Sequence, residues 1–291
     1  MEPSTTVGVS RRARGVARTA RGERTSDGAG VALTRVIGTR TLRSLDPFLM
    51  LDEFGSDEPS DYLAGFPEHP HRGFETVTYV LAGRFRHRDN QGHEGLLEAG
   101  GAQWMTAGRG IVHSEMPEQT EGLVRGFQLW LNLPAAEKMC EPAYRDVPAS
   151  EVPVASLGPG ASGRVLAGTV GGVTGPIARR ATAPLFVDVS LEAGATGSLE
   201  VPAELEGFAY VFDGASMTIG EGAGERVVER GTLALLGAGD SLRLRADRGP
   251  ARALVVAGRP LREPVVQYGP FVMNSVEEIE QAIRDFQSGR F

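Results

Sequence analysis

Histidine is concentrated in one stretch of this 291-residue chain, because all five histidines lie between His69 and His113. Three of them stand in two short patterns, His69-Pro70-His71 and His113-Ser114-Glu115. On a β-strand, residues i and i+2 point to the same face, so each pattern offers two ligand side chains together. If the two strands are neighbours, three imidazoles and one carboxylate converge. That donor set suits Fe, Mn, Ni, Cu or Zn and leaves coordination positions for water or substrate.

Strand and turn signals alternate on both sides of these patterns. The segment 74–81 is rich in residues that favour β-strands, and Ala82-Gly83 follows it as a turn. A later stretch, 123–133, places apolar side chains at alternate positions, as expected for a strand. Strands separated by turn signals at intervals of about 8–12 residues are typical of a sandwich or barrel, so we expect an all-β fold.

A second β-patterned region, residues 184–258, repeats the order of the first. In each half an aromatic-rich strand ends at a turn glycine, Gly83 or Gly214, and a Gly-Gly or Gly-Asp turn follows. This weak internal repeat indicates two similar domains. The second half contains no histidine, so it cannot build the same metal site.

The end of the chain has the pattern of a helix. Ser275 is suited to the N-cap, and Glu278 completes a capping box. Gly289 is suited to the position just after the helix. An apolar stripe predicts a packing face, formed by Val276, Ile279, Ile283 and Phe286.

Composition excludes several classes of protein. The net charge of −7 argues against a general nucleic-acid binder, so we expect no direct nucleic-acid binding. Cys140 is the only cysteine, which excludes an intramolecular disulfide. No run approaches the roughly 18 apolar residues that a membrane span needs. The arginine-rich residues 1–25 lack the apolar core of a secretory signal. We therefore expect a cytoplasmic monomer without membrane association, and a disordered basic tail over residues 1–25.

Four long motifs in this chain resemble signatures of the pirin family. Two of them contain the histidine patterns, FPEHPHRGFETVTY at 66–79 and QWMTAGRGIVHSEMP at 103–117. The others are LDPFLMLDEF at 45–54 and EPVVQYGPFVMN at 263–274. The resemblance runs from about Gly30 to Phe291 and is densest in the first half.

The resemblance implies two cupin β-sandwich barrels that pack face to face, with a short C-terminal helix. In this family the N-terminal barrel binds one metal ion, usually iron, while the C-terminal barrel has lost its site. Carried over by position, the metal ligands are His69, His71, His113 and Glu115. The implied division is an N-terminal metal-binding cupin over 26–134, a connection over 135–180, and a second cupin with the helix over 181–291.

One other carboxylate is an alternative ligand. The general cupin pattern His-x-His-x3-Glu would select Glu75, which shares strand parity with His69 and His71. The pirin pattern and the spacing from His113 favour Glu115, and we expect Glu75 to support the site without binding the metal. His87 and His93 fit neither pattern, and we expect structural or solvated roles for them.

Two functions of different classes follow from the resemblance. The first is a metal-dependent dioxygenase that cleaves a flavonol such as quercetin, with Glu115 as the catalytic base. The alternative is an iron-dependent binding module that regulates transcription or a metabolic enzyme through contacts with a protein partner. We favour the dioxygenase, and with it a flavonol-like small-molecule substrate.

Overall fold

The chain forms two β-sandwich barrels, in a computed structural model that describes residues 12–179 and 181–291. Each barrel combines one seven-stranded and one four-stranded sheet. The prediction of an all-β fold with two cupin barrels and a short C-terminal helix is confirmed.

The strands of the first half begin before the histidine-rich region and end after it. They are β1 (Val16–Arg21), β2 (Glu23–Asp27), β3 (Val31–Ile37), β4 (Phe48–Ser56), β5 (Phe66–His71), β6 (Phe74–Ala82), β7 (Arg84–Asp89), β8 (Glu94–Glu98), β9 (Ala102–Thr106), β10 (Ile111–Pro117), β11 (Val124–Asn132) and β12 (Ala143–Val147).

The second half continues with shorter strands and ends in the helix. Its elements are β13 (Val154–Gly158), β14 (Ala161–Ala167), β15 (Thr169–Val170), β16 (Val173–Thr174), β17 (Leu185–Leu191), β18 (Thr196–Glu200), β19 (Glu206–Asp213), β20 (Ser216–Ile219), β21 (Arg226–Glu229), β22 (Thr232–Leu236), β23 (Ser241–Arg245), β24 (Ala251–Gly258), β25 (Val266–Tyr268), β26 (Phe271–Met273) and α1 (Val276–Gln287). Short 3-10 turns occur at Pro59–Asp61, Ala135–Glu137, Ala149–Glu151 and Gly222–Gly224.

The two barrels have matching sheet pairs. The N-terminal barrel joins sheet β12-β9-β6-β11-β4-β3-β2 to sheet β5-β10-β7-β8. The C-terminal barrel joins sheet β1-β22-β19-β24-β17-β14-β13 to sheet β18-β23-β20-β21. Consecutive strands such as β2–β3 and β7–β8 pair antiparallel, which suits the short connections between them.

The two large sheets pack against each other, so their central strands are buried on both faces. Strand β6 is buried from Phe74 to Val80, as are β9 beside it and most of β19 in the other large sheet. Across the interface the Phe48 and Phe208 rings lie 5.4 Å apart, and the Phe127 and Phe212 rings 5.1 Å apart. One face of each large sheet therefore lines a barrel, while the other forms the core between the barrels.

Two buried tyrosines connect the barrels in a reciprocal way. Tyr79 of the N-terminal barrel donates a hydrogen bond to Asp188 of the C-terminal barrel at 2.7 Å. Tyr210 of the C-terminal barrel donates one to Glu53 of the N-terminal barrel at 2.6 Å. Each carboxylate also binds an arginine of its own barrel. The interface thus contains polar bonds with defined partners as well as apolar packing.

The interiors of the two barrels differ. The C-terminal barrel is filled by a large aliphatic cluster that includes Val187, Val189 and Leu242. The apolar cluster inside the N-terminal barrel is much smaller and centres on Phe54, Val80 and neighbouring residues. Polar side chains and a cavity take the remaining space in the N-terminal barrel.

The prediction of a disordered tail over residues 1–25 is wrong for residues 16–25, and residues 1–11 lie outside the described residues. Strand β1 pairs with β22 and completes the edge of the C-terminal sheet. Arg14, just before it, is buried and donates to the carbonyl oxygens of Val201, Pro202, Leu205 and Gly237. Composition suggested disorder because the segment has few apolar residues, but its backbone and Arg14 find their partners over 180 residues away.

The predicted connection over 135–180 also differs from the structure. Strand β12 lies within it and pairs with β9 of the N-terminal sheet. Strands β13 and β14 lie within it too, and β14 pairs with β17 of the C-terminal sheet. These short strands are stabilised by the sheet edges that they extend, which local sequence patterns do not reveal.

The final segment, 265–291, leaves the C-terminal barrel and packs on the N-terminal one. The backbone amide of Val272 donates to the Arg72 carbonyl, and Arg72 forms an ion pair with Asp285 at 2.8 Å. The predicted capping box at Ser275 and Glu278 is present, and Gly289 follows the helix with φ +68°. This segment therefore lies directly beside β5, the strand that carries the first histidine pattern.

Helix α1 has 12 residues, and no helix within residues 12–179 and 181–291 is long and apolar enough to cross a membrane.

Candidate metal centre

The two histidine patterns lie on neighbouring antiparallel strands. Strand β5 pairs with β10 in a register that sets His113 opposite His69 and Ile111 opposite His71. A bulge between His113 and Glu115 shifts the register, so Glu115 lies opposite Phe66. The i,i+2 spacing on each strand therefore places three imidazoles on one face, as the sequence predicted.

The three imidazoles form a compact cluster. One ring nitrogen from each of His69, His71 and His113 lies within 4.8 Å of the others. His69 Nδ1 lies 2.8 Å from the Pro67 carbonyl oxygen, which can only accept, so His69 Nδ1 carries the proton. Its Nε2 then presents a lone pair 3.0 Å from His71 Nε2. The free nitrogens thus converge on one point.

His87, which the sequence interpretation set aside, bonds directly to this cluster. Its Nε2 lies 2.6 Å from His113 Nδ1, and both side chains are buried. When His113 Nδ1 donates this hydrogen bond, His113 Nε2 keeps a free lone pair, which is the form that binds a metal. His87 faces Glu115 across the β7–β10 pair, and only that strand register reveals its position. His93, in contrast, is exposed and bonded to Asp89, as predicted.

Burial favours the neutral form of three histidines at this site, His71, His113 and His87. It lowers the pKa of His71 and of His113 well below the usual value for histidine, and the neighbouring imidazoles lower it further. Burial also lowers the pKa of His87, against the opposite effect of Glu115. Neutral imidazole is the ligand form, so His71 and His113 can bind a cation without first losing a proton.

Glu115 lies beside the cluster and is held by two polar side chains. Its Oε1 accepts a hydrogen bond from Thr78 Oγ1 at 2.8 Å, and its Oε2 accepts one from Gln128 Nε2 at 3.0 Å. Thr78 Oγ1 also lies 2.6 Å from Gln128 Oε1. Ligand atoms that lie within 4.8 Å of one another at this site come, among the described residues, from the three histidines and not from the Glu115 carboxylate. Its role as a fourth ligand remains a prediction.

The expected support from Glu75 is not what the structure shows. Its carboxylate is buried and accepts hydrogen bonds from Thr106 Oγ1 at 2.6 Å and from Arg179 Nε at 2.8 Å. The shared strand parity with the histidines is lost because Gly73, with φ +86°, separates β5 from β6, which belong to different sheets. Burial raises the pKa of Glu75, and Arg179 opposes that effect.

A cavity of about 800 Å³ opens at the cluster. His69, His71 and Glu115 lie on its wall, together with Trp130. The turn after β2 and the turn between β25 and β26 also contribute to the wall. The cavity is large enough for an aromatic small molecule and places it against the imidazoles.

The residues present fit a metal ion. His113 Nε2 is buried and has no hydrogen-bond partner in the described residues, which would cost about 1–3 kcal/mol if it stayed unsatisfied. The Nε2 atoms of His69 and His71 lie 3.0 Å apart, so both can bind one cation when His71 carries its proton on Nδ1. Neutral imidazoles suit Fe, Mn, Ni, Cu and Zn, so the donor set supports a transition metal without selecting one.

Known proteins match this chain over most of its length. The pirin family model matches residues 30–131, and the model of the pirin C-terminal cupin domain matches 186–291. A Pseudomonas aeruginosa protein, whose name assigns it provisionally to the quercetin 2,3-dioxygenases, is 52% identical over 92% of this chain and 94% of its own length. Human pirin is 43% identical over 91% of this chain and 89% of its own. The crystal structure of a quercetin 2,3-dioxygenase from Acinetobacter baumannii superposes with a TM-score of 0.87, at 32% identity, over 96% of this chain and 99% of that one.

Proposed function

Because the chain belongs to the pirin family, we propose that it is a metal-dependent dioxygenase that opens the ring of a flavonol such as quercetin. The observation that carries the proposal is the cluster of His69, His71 and His113 at the end of a cavity that also contains Glu115. The names of the Pseudomonas and Acinetobacter relatives support the choice of substrate.

We propose iron as the cofactor, held by the three histidines and Glu115, with Mn, Ni, Cu or Zn as substitutes. When bound, such a metal supplies a Lewis acid that polarises the 3-hydroxyl and carbonyl oxygens of the flavonol and brings substrate and O2 together. Ring opening then releases carbon monoxide and a depside.

In this mechanism Glu115 accepts the proton of the flavonol 3-hydroxyl. The three contacts among Glu115, Thr78 and Gln128 need three hydrogens. The Thr78 hydroxyl supplies one and the Gln128 amide supplies another, so one hydrogen is missing while Glu115 is a carboxylate. Once Glu115 Oε1 has accepted the flavonol proton, that proton completes the ring, since Glu115 then donates to Thr78, Thr78 to Gln128, and Gln128 back to Glu115. The same count holds if the Gln128 amide is turned over. The surroundings of Glu115 therefore favour its role as proton acceptor.

The cavity wall orients the substrate and excludes water. The Trp130 ring lies 5.1 Å from the His71 ring and 4.4 Å from that of Phe74, so it is fixed beside the cluster. An aromatic ligand held against Trp130 would place its chelating oxygens toward the imidazoles.

The test is oxygen consumption and loss of flavonol absorbance, after protein reloaded anaerobically with Fe(II) is mixed with quercetin in air. We expect iron-dependent turnover with release of carbon monoxide, abolished in His113→Ala and reduced by at least about 100-fold in Glu115→Gln. His93→Ala, which changes an exposed histidine, is the matched control and should keep full activity.

Stoichiometric iron binding without turnover would reject the dioxygenase. That result would favour the alternative, an iron-dependent binding module, and the search would turn to protein partners.

A further inference from the structure

A row of polar side chains crosses the inner face of the large N-terminal sheet, starting next to Glu115. Thr78 pairs with Gln128 across β6 and β11, Gln128 with Asp52 across β11 and β4, and Asp52 with Arg35 across β4 and β3. Gln128, Asp52 and Arg35 all line the cavity. Adjacent strands lie about 4.8 Å apart, so the Arg35 backbone is about 10 Å from that of Gln128. The cavity therefore extends along this row from Gln128, the partner of Glu115, to a polar end about 10 Å away at Arg35.

That end is built around the Arg35 guanidinium. Its Nε donates to Asp52 Oδ1 at 2.9 Å, and its Nη2 donates to Asp52 Oδ2 at 2.7 Å and to Asp27 Oδ2 at 2.6 Å. Its Nη1 donates to none of the described residues, and the side chain is 24% exposed, so a ligand in the cavity can reach it. Two N–H groups are thus left for a ligand, next to two carboxylates that can accept hydrogen bonds.

The charges lining the cavity disfavour an anion here. Four carboxylates line it, and the two at this end, Asp27 and Asp52, outnumber the single cation Arg35 even when a metal cation at the histidines offsets the charge of Glu115. Arg35 is already paired with two of these carboxylates. A carboxylate on the ligand would meet unbalanced negative charge, whereas a hydroxyl group could donate to Asp52 or Asp27 and accept from Arg35 Nη1.

Apolar side chains flank this polar row on both sides. Trp130 and Met50 are cross-strand partners and both line the cavity, as do Leu33 and Phe54. A flat aromatic body can pack on these apolar side chains, with one polar group at the histidines and another at Arg35.

We propose that Arg35, Asp52 and Asp27 form a recognition site for uncharged hydroxyl groups at the end of an aromatic ligand remote from the metal. The substrate class is then an uncharged polyhydroxylated aromatic compound, and aromatic carboxylates are rejected. This inference rests on the proposed function only in placing the chelating group of an aromatic ligand at the histidines.

The experiment measures ligand binding, without turnover, to the full chain loaded with zinc, which has no redox chemistry. Dissociation constants are compared for quercetin, for 3-hydroxyflavone, which keeps only the chelating pair, and for 3-hydroxyflavone-4′-carboxylate. The variants are Arg35→Gln, Asp52→Asn and Asp27→Asn. Arg145→Gln, at an exposed ion pair outside the cavity, is the control.

We expect the wild type to bind quercetin about tenfold more tightly than 3-hydroxyflavone, because a hydrogen bond to a charged group is worth at least about that factor. The carboxylate should bind most weakly. Arg35→Gln and Asp52→Asn should remove most of the quercetin advantage while changing 3-hydroxyflavone affinity less than about twofold. Asp27→Asn, at a 50% exposed side chain, should have a smaller effect of the same kind and does not put the fold at risk.

Equal affinity of the wild type for quercetin and 3-hydroxyflavone would overturn the proposal, as would an equal loss for both ligands in the variants. Tightest binding of the carboxylate, or no zinc-dependent binding of any flavonol, would overturn it too. Hydroxyl discrimination without iron-dependent turnover would reject the dioxygenase and leave this site standing. Turnover without discrimination would reject this site alone.

Discussion

At the scale of single residues, His87 decides which nitrogen of His113 faces the cluster. Its Nε2 lies 2.6 Å from His113 Nδ1, while its ring edge contacts Tyr144 at 4.8 Å between centroids. A metal-binding histidine is usually held by a carboxylate or carbonyl, and here an imidazole takes that place. His87 is therefore a positioning residue for His113.

We expect His87→Leu to weaken zinc binding by about 10–100-fold, as loss of a partner of a metal-binding histidine typically does. His87→Gln keeps an acceptor for His113 Nδ1 and should retain most of the affinity. Competition with a chromophoric chelator measures the effect, and Co(II) absorption reports the geometry of the site. His93→Leu is the control, and an equally small change in all three variants would contradict the assigned role.

The cluster itself could be predicted from sequence, whereas the residues that support it could not. His69 and His71 follow from i,i+2 spacing on one strand, whereas His113 joins them through the β5–β10 pairing, which could be stated from the sequence only as a condition. Thr78 and Gln128 are 50 positions apart and meet Glu115 only through strand register. Glu75 was misassigned because the turn at Gly73 moves the chain to another sheet.

At the scale of elements, strand β1 shows how a segment can be ordered by its partner alone. Val16 and Ala20 face inward, and the residues between them are exposed. This segment is held by the edge strand β22 and, through Arg14, by carbonyl oxygens between Val201 and Gly237. Both lie in the second half of the chain. The capping box of α1, in contrast, lies within four consecutive residues and could be predicted from them.

We expect Arg14→Met to lower the free energy of unfolding by about 2–3 kcal/mol, because four carbonyl oxygens would lose a charged donor. Arg18→Met, at an exposed position of the same strand, should change it by less than about 0.5 kcal/mol. Urea unfolding of both variants checks this difference. Equal stability of the two would show that β1 docks through its backbone alone.

At the scale of the whole molecule, the reciprocal tyrosine bonds link barrel docking to pH. Burial raises the pKa of Tyr79, and the Asp188 carboxylate raises it further. Burial and Glu53 do the same for Tyr210. The folded protein therefore keeps protons that the unfolded chain releases above about pH 10. Since the native state then binds more protons, these bonds stabilise the fold below that pH and lose their contribution as pH rises through it.

Tyr79→Phe should cost about 1–2 kcal/mol at neutral pH, because Asp188 loses one hydrogen bond but keeps Arg252. Above about pH 10 the wild type should lose this advantage by up to about 1.4 kcal/mol per pH unit. Denaturant unfolding between pH 7 and 11 measures the difference. Tyr268→Phe, on an exposed side chain, should leave unfolding unchanged, and a difference for Tyr79→Phe that stays constant with pH would refute the linkage.

Each end of the chain packs on the barrel formed by the opposite half, and this arrangement limits how such a protein can evolve. The strand at residues 16–21 completes the C-terminal sheet, while the segment 265–291 supports the strand that carries His71. A recombination event between the halves would leave one barrel without an edge strand and the other without part of its pocket. The two barrels therefore cannot be shuffled as separate modules, and they are inherited as one unit.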